Sequence, residues 1–385
     1  MQIEVNVSKD ILQWVIEQSK RQNVPSVILD NLLFWLSGEK IPTYHQIETV
    51  SKATGIPFGY FFLKTPPEEN LSIVDYRTVD SVELQSPSRN LIDTMKSMEE
   101  IQDWMRSYRR ETLDSCTYVG AMKNQTDIIA FAKYACNILS LTNNWRKDCH
   151  TATDVFKIFR KAISDSGTLV MLSGIVGNNT HRPLDVHEFR AFAMVDDVAP
   201  LIFVNNNDSE NGKLFSLLHE FAHICIGESS LFNEPINNQS KLRKNEVLCN
   251  AVAAEVLVPT KQFVEAWKTS KEHDIKKKIS TIAKMYCCGE LVVARKALDS
   301  GFIDSVFYTN LSRDINNAIQ DKLIRKSSGG GDYYKTTANR IDRNFLLCLS
   351  GSVASGKTAY TDAYYLTNTN RKTYENLVDF AGGLR

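Results

Sequence analysis

Apolar residues recur along this chain at two periods, and each period predicts a different kind of element. Near the start, Ile11, Leu12, Val15 and Ile16 share one face of a helix over Lys9 to Ser19, with Ser8 in position to cap it. A second helical stretch, Pro25 to Leu36, is stopped by Ser37-Gly38; Thr43 caps a third, Tyr44 to Ala53, which Gly55 ends. The apolar run Ile56 to Leu63 follows, and Pro66-Pro67 mark a linker. Residues 88–140 read as helical, with Leu91, Met95, Met98, Ile101 and Trp104 three or four apart, and 151–163 as another helix. The pattern then changes to a strand, Thr168 to Leu172, and a hairpin of Phe189 to Val195 with Leu201 to Val204 around Asp196 to Pro200. Leu214, Phe215, Leu217, Leu218, Phe221, Ile224 and Ile226 predict a buried helix. Glu246 to Val258 is a further helix, with small residues on one side and Pro259 to end it. Asp332 to Leu349 reads as one helix, with Tyr334, Ala338, Ile341, Phe345 and Cys348 at helical spacing, after a hinge at Ser327 to Gly331. The expected class is α+β, with a small sheet against the Leu214–Ile226 helix and an edge strand to which an extended peptide could add.

Composition narrows the setting. At 385 residues the chain has room for two or three domains with real cores. Lys+Arg and Asp+Glu both number 45, so no global charge draws it to nucleic acid or membrane. No apolar run approaches the roughly 20 residues of a membrane-spanning helix. Met1 to Asn6 contains Glu4 and lacks a signal pattern. Eight cysteines without a disulfide-like framework suit reduced thiols in the cytosol. A cytoplasmic protein with no membrane partner is expected.

The chemistry concentrates in His219-Glu220-Phe221-Ala222-His223, a complete H-E-x-x-H. Residues four apart lie about 40° from each other around a helix, so both imidazoles face one way and can hold one divalent ion, zinc above others. Glu220 is then placed as general base toward water at that ion. A third ligand separates this reading from a core helix with two incidental histidines. Glu246, 23 residues after His223, is the favoured candidate, leaving room for a loop and a returning helix. Two histidines, one glutamate and an open position form a known catalytic zinc set. Asn250, one turn on, is placed to orient a ligating histidine. Glu255 is the rival ligand, two and a half turns from Glu246 and nearly on the opposite face. Cys225 and Cys249 are candidate thiolate ligands for which buried free cysteine is the preferred reading.

His219-Glu220-x-x-His223 followed by Glu246-x-x-x-Asn250-Ala251-x-Ala253-Ala254-Glu255-x-Leu257-x-Pro259 resembles the ImmA/IrrE family of metallo-endopeptidases. Ala199 to Asn205 resembles the strand before the active-site helix in that family, whereas Val252 stands where the family usually has phenylalanine. The resemblance implies zinc at His219, His223 and Glu246, with Glu220 as the catalytic base. Family members cut a partner repressor or antitoxin, often a helix-turn-helix protein encoded nearby. Trp35-Leu36-Ser37-Gly38-Glu39-Lys40-Ile41-Pro42-Thr43 is similar to the corner of phage-repressor helix-turn-helix domains, which often precede such peptidases. The implied order is a helix-turn-helix-like domain at 1–65, a linker and scaffold helix at 66–126, a zincin-like metallopeptidase domain at 127–326, and a helical extension at 332–385 resembling the tails of long family members.

Other features are weighed against this. Residues 1–67 carry six Lys/Arg and six Asp/Glu, and the second helical stretch is apolar, so docking to a cognate partner protein is favoured there over DNA. Gly351 to Thr358 satisfies G-x-x-x-x-G-K-T letter for letter. A phosphate-binding loop needs a preceding strand and a parallel sheet, so no nucleotide is expected. His181 and His187 flank Pro183 in a polar loop and read as surface residues, as do His150 and His273. Arg190, His187 and Tyr308 are candidate oxyanion donors among which nothing chooses. The competing function, from another class, is a DNA- or partner-binding regulator or antitoxin with a structural zinc site.

Overall fold

The computed structural model describes residues 3–19, 24–67, 87–110, 115–142, 144–232, 244–325 and 333–382. They fall into two compact units, divided between Lys96 and Ser97. The hinge expected at Ser327 to Gly331 lies outside the described residues.

The first unit is helical: α1 (Lys9–Ser19), α2 (Ser26–Ser37), α3 (Tyr44–Thr54) and a 3-10 turn at Phe58–Phe62. Its core joins Ile11, Val15, Leu32, Trp35, Ile47 and Phe61. A capping box starts α3, Thr43 and Gln46 each accepting a bond from the other's backbone N–H. Gly38 and Gly55 end α2 and α3 in the left-handed conformation. Val27, Leu33 and Phe34 on α2 stay exposed.

α4 (Arg89–Arg110) contributes its first turns to this unit and the rest to the second. There follow α5 (Ile128–Ile138), α6 (Ala152–Asp165), β1 (Leu169–Ser173), β2 (Ala191–Met194), β3 (Leu201–Asn205), α7 (Glu210–Ile226), β4 (Ser230–Phe232), α8 (Lys244–Leu257), α9 (Thr260–Thr269), α10 (Ile275–Tyr286), α11 (Glu290–Asp299) and α12 (Ser305–Arg325). The tail is α13 (Tyr333–Ala338), α14 (Arg343–Ala354), α15 (Tyr360–Leu366) and α16 (Arg371–Ala381). The sheet has the order β1-β3-β2-β4, with β1 parallel to β3 and the other pairs antiparallel. β2 and β3 form the expected hairpin, in register Phe192 to Phe203. β4 was not anticipated.

Every residue of β1, β2 and β3 is buried, which is why these strands read as continuous apolar runs and not as alternation. Val170, Leu172, Ile202, Val204 and the two small residues Ala191 and Ala193 join the core that contains α7. Phe192 and Phe203 stack with centroids 5.0 Å apart. Beyond the sheet, Gln102 of α4 donates to the carbonyls of Met194 and Ala199, and Arg109 to those of Gly167 and Val198. The hairpin is thereby tied to α4 through its turn.

Two expectations are corrected. Residues 88–140 are not one helical stretch: α4 ends at Arg110, and α5 starts only at Ile128, where Asp127 caps it. Turns between them use Gly120 at φ +71°. The amides of Gly120 and Met122 there donate to the carbonyls of Ile224 and Cys225, satisfying the otherwise unpaired end of α7. Nor is Asp332 to Leu349 one helix. The chain leaves α13 and runs along the free edge of β1, where Leu172 N–H donates to Arg340 O at 2.9 Å. Val170 N–H donates to Asp342 Oδ2 at 3.0 Å, while Asp342 Oδ1 accepts Phe345 N–H and so starts α14. Half-buried Arg160 holds the same corner, donating to Val170 O and Ile341 O. In the Gly351–Thr358 pattern, Gly351 to Ala354 are the last turn of α14, and Thr358 bonds Ser352 and Trp104. The preceding apolar run is helix, not strand.

No single described helix is long and apolar enough to cross a membrane. α8 and α9 pass that test only as a pair bent by 58°, and Cys249, Val252, Leu257 and Phe263 from them are core residues.

Gly227 ends α7 at φ +85°, and a Cβ there would sit 2.9 Å from Gly120 Cα. Gly301 has φ +71° but open space around it. Gly301→Ala is expected to cost only the left-handed strain, about 1 kcal/mol. Gly227→Ala adds a backbone clash and should cost at least about 2 kcal/mol. Urea unfolding midpoints at equal slope check this, and equal costs would contradict it.

Candidate metal centre

α7 is buried on nearly every side. Ser209 caps its start by accepting Gly212 N–H at 3.1 Å. From Leu217 to Ile226 every residue is buried, including His219 (0 % exposed), Glu220 (0 %) and His223 (2 %). A helix that is apolar all round belongs in a core, and titratable groups there need partners.

α8 supplies them from one face at spacings of three and four. Glu246, in its first turn, approaches both imidazoles: Oε2 is 3.1 Å from His219 Nε2, and Oε1 is 3.2 Å from His223 Nε2. The two Nε2 atoms are 3.1 Å apart. Cys249 and Asn250 follow Glu246 three and four residues on along α8, next to the two rings, while both ring Nδ1 atoms and Asn250 Oδ1 are buried without a hydrogen-bond partner among the described residues. Glu246 is the partly exposed member, at 24 % of its side chain, so solvent reaches the group from its side.

These distances suit a cation. Four donors placed tetrahedrally at about 2.0–2.1 Å from one centre lie about 3.3 Å apart. Two imidazole nitrogens and a carboxylate facing one another at such distances make three converging acceptors, which only a cation or a shared proton stabilises. Among the described residues His219, His223 and Glu246 are the one group of this kind, with donor atoms within 4.8 Å of one another. The titration shifts say the same. Burial pushes the His219 imidazole down, against the pull of Glu246. Burial also lowers His223, but Cys249 and Glu246 outweigh it and raise that ring above its usual value. Glu246 lies well below the usual carboxylate range, because bonds from the two rings outweigh its burial. Glu220 is pushed up to about 8 by burial, with His223 and Ser230 opposing. Its Oε2 accepts the Ser230 hydroxyl at 2.5 Å, and its Oε1 is buried without a hydrogen-bond partner among the described residues.

Residues 165–297 match the family model of the M78 peptidases, the IrrE N-terminal-like domain. That span holds the whole sheet, α7 and α8. Together with the His–His–Glu group it points to a metallopeptidase domain of the ImmA/IrrE type. Residues 341–380, most of the tail, match a domain of unknown function. Comparison with curated proteins finds no match.

The rival ligand Glu255 is engaged elsewhere. It forms a buried ion pair with Lys296 and accepts both the N–H and the hydroxyl of Thr260. It therefore pins the end of α8 to α9 and α11. Cys225 and Cys249 are buried free thiols outside the donor group; none of the eight cysteines is in a disulfide. Arg190 pairs with Asp208 at 3.5 Å, and His187, like His181, His150 and His273, is exposed. Sequence reasoning missed Ser230 and the Cys249 contact. A three-residue strand has no readable period, and a cysteine among small residues looks like packing.

Two outcomes are expected. Zinc should raise the thermal midpoint of the wild type, by about 2.7 kcal/mol of stabilisation at a hundredfold excess over Kd. His219→Ala or Glu246→Ala should abolish that rise in a melting experiment. Lys296→Met strands a buried carboxylate and should cost about 3 kcal/mol at pH 7. Burial raises the Glu255 carboxyl, but Lys296 and Thr260 outweigh it and hold it below its usual range, so the pairing stabilises above the unfolded value and fades as pH falls. The gap between wild type and variant in denaturant melts should therefore shrink below about pH 4.

Proposed function

We propose that this chain is a zinc-dependent endopeptidase that cuts one specific partner protein, a helix-turn-helix repressor or antitoxin, in the cytoplasm. The observation that carries the reading is the convergence of His219, His223 and Glu246 on one point, with Glu220 beside it on the same helix. His219, His223 and Glu246 would hold the ion, and Asn250, one turn along α8 from Glu246, would orient the His219 ring. Zinc in such a set supplies Lewis acidity, polarising a peptide carbonyl and lowering the pKa of water. Glu220 is the base: its carboxylate takes the proton of the attacking water and passes it to the departing amine nitrogen. Burial of α7 keeps bulk water from competing for these groups.

The sheet supports a peptide substrate. Residues 340–342 cover the β1 edge, whereas β4 on the other side has no further strand among the described residues. An extended segment adding to β4 gains main-chain bonds independent of its sequence. Partner choice is then assigned to residues 1–65. There α2 exposes Val27, Leu33 and Phe34 and carries no Lys or Arg, which suits an apolar protein contact better than phosphate neutralisation.

The test is co-expression of a helix-turn-helix protein encoded beside the chain with wild type and with Glu220→Gln, followed by mass mapping. The wild type should cut it, while Glu220→Gln keeps one zinc per chain and slows cleavage by about 10²-fold or more. Cleavage by Glu220→Gln at the native rate rejects the mechanism. Full biological function of Glu220→Gln, lost on deleting residues 1–65, would make the chain a binding regulator instead.

A further inference from the structure

We propose that Ser230 is a positioning residue for Glu220, holding one carboxylate oxygen so that the other meets water in a single orientation. The inference rests on the peptidase reading above and concerns a residue outside the H-E-x-x-H and Glu246 pattern.

A glutamate carboxylate turns freely about its last bond unless something holds it, and a general base works only when the accepting oxygen is within reach of the proton. Glu220 has two chemically equal oxygens in a fully buried position. Oε2 accepts the hydroxyl of Ser230 at 2.5 Å; Oε1 has no hydrogen-bond partner among the described residues. The Ser230 hydroxyl is the donor of that bond, and the carboxylate oxygen accepts it. One oxygen is thus anchored and the other is unpartnered among the described residues.

The anchor does not come from α7. Gly227 terminates that helix, its N–H bonded to His223 O and Ile224 O, and the chain turns back into β4 within three residues. Ser229 Oγ accepts Val195 N–H at 3.0 Å and pins the start of the strand. Ser230 then pairs with Ala193 of β2 and is only 5 % exposed. Its hydroxyl therefore refers the base to the sheet, and the same short strand offers the edge proposed for substrate. A carboxylate fixed against β4 is fixed relative to any peptide that β4 binds.

The experiment uses full-length Ser230→Ala and Ser230→Thr. Crystal structures should show the Glu220 carboxylate displaced or split in Ser230→Ala and restored in Ser230→Thr. Glu220 unmoved in Ser230→Ala overturns the proposal. With the substrate found by co-expression, Ser230→Ala should lose about tenfold or more in kcat, with KM and zinc content unchanged, and Ser230→Thr should recover it. A changed KM with kcat intact, or loss of zinc, overturns the assignment as well. Absence of cleavage by the wild type would refute the peptidase reading, and the position of Glu220 in Ser230→Ala would still decide this one. Should alanine unfold the chain, Ser230→Cys, similar in size with a weak donor, carries the same comparison.

Discussion

Burial of α7 with titratable groups at its centre governs the rest of the structure. Two imidazoles and a glutamate lie between 0 and 2 % exposed, and such groups are costly in a core unless each finds a partner. The partners come from two elements, α8 and β4. Glu246 faces both rings from α8, which also carries Cys249 and Asn250, and Ser230 reaches Glu220 from β4. The chain must therefore return twice to the same helix, once as a strand and once as a helix. Ala191 and Ala193 on β2 leave room for α7 on the sheet, and Ala253 and Ala254 serve α8 in the same core.

The two edges of the sheet are handled differently. On β1, the backbone of Arg340 and the carboxylate of Asp342 take up amides that would otherwise offer themselves to another strand. Residues matching a domain of unknown function thus start at an edge seal of the peptidase-like domain. β4 is short and follows α7 directly, which couples the opposite edge to Glu220. Farther along α8, the Glu255–Lys296 pair anchors the helix that carries Glu246, so one helix holds a carboxylate that faces the histidines and another for its own placement.

Much of the candidate site was legible because its logic is local. His219 and His223 share a face by helical spacing, and Glu246 with Asn250 repeats the same spacing one helix later; both helices form where the apolar pattern puts them. The tail was less legible. Tyr334, Ala338, Ile341, Phe345 and Cys348 keep a helical period straight through a break, since Asp342 begins a new helix in phase with the last. The break is stabilised by β1 amides some 170 residues away, and periodicity carries no trace of them. The same holds for residues 115–127, whose turn is fixed by the carbonyl end of α7.

What the sequence determined by itself is the identity of the groups that can meet an ion and the two helices that carry them. Side-chain spacing within a helix follows from backbone geometry alone. Only the tertiary structure decided which of Glu246 and Glu255 faces the histidines, because that depends on how α8 rotates against α7 and on Lys296 claiming the other carboxylate. It alone also brought Ser230 to Glu220. That contact joins a helix to a strand too short to show a pattern, through a reversal that Gly227 and the hairpin make together.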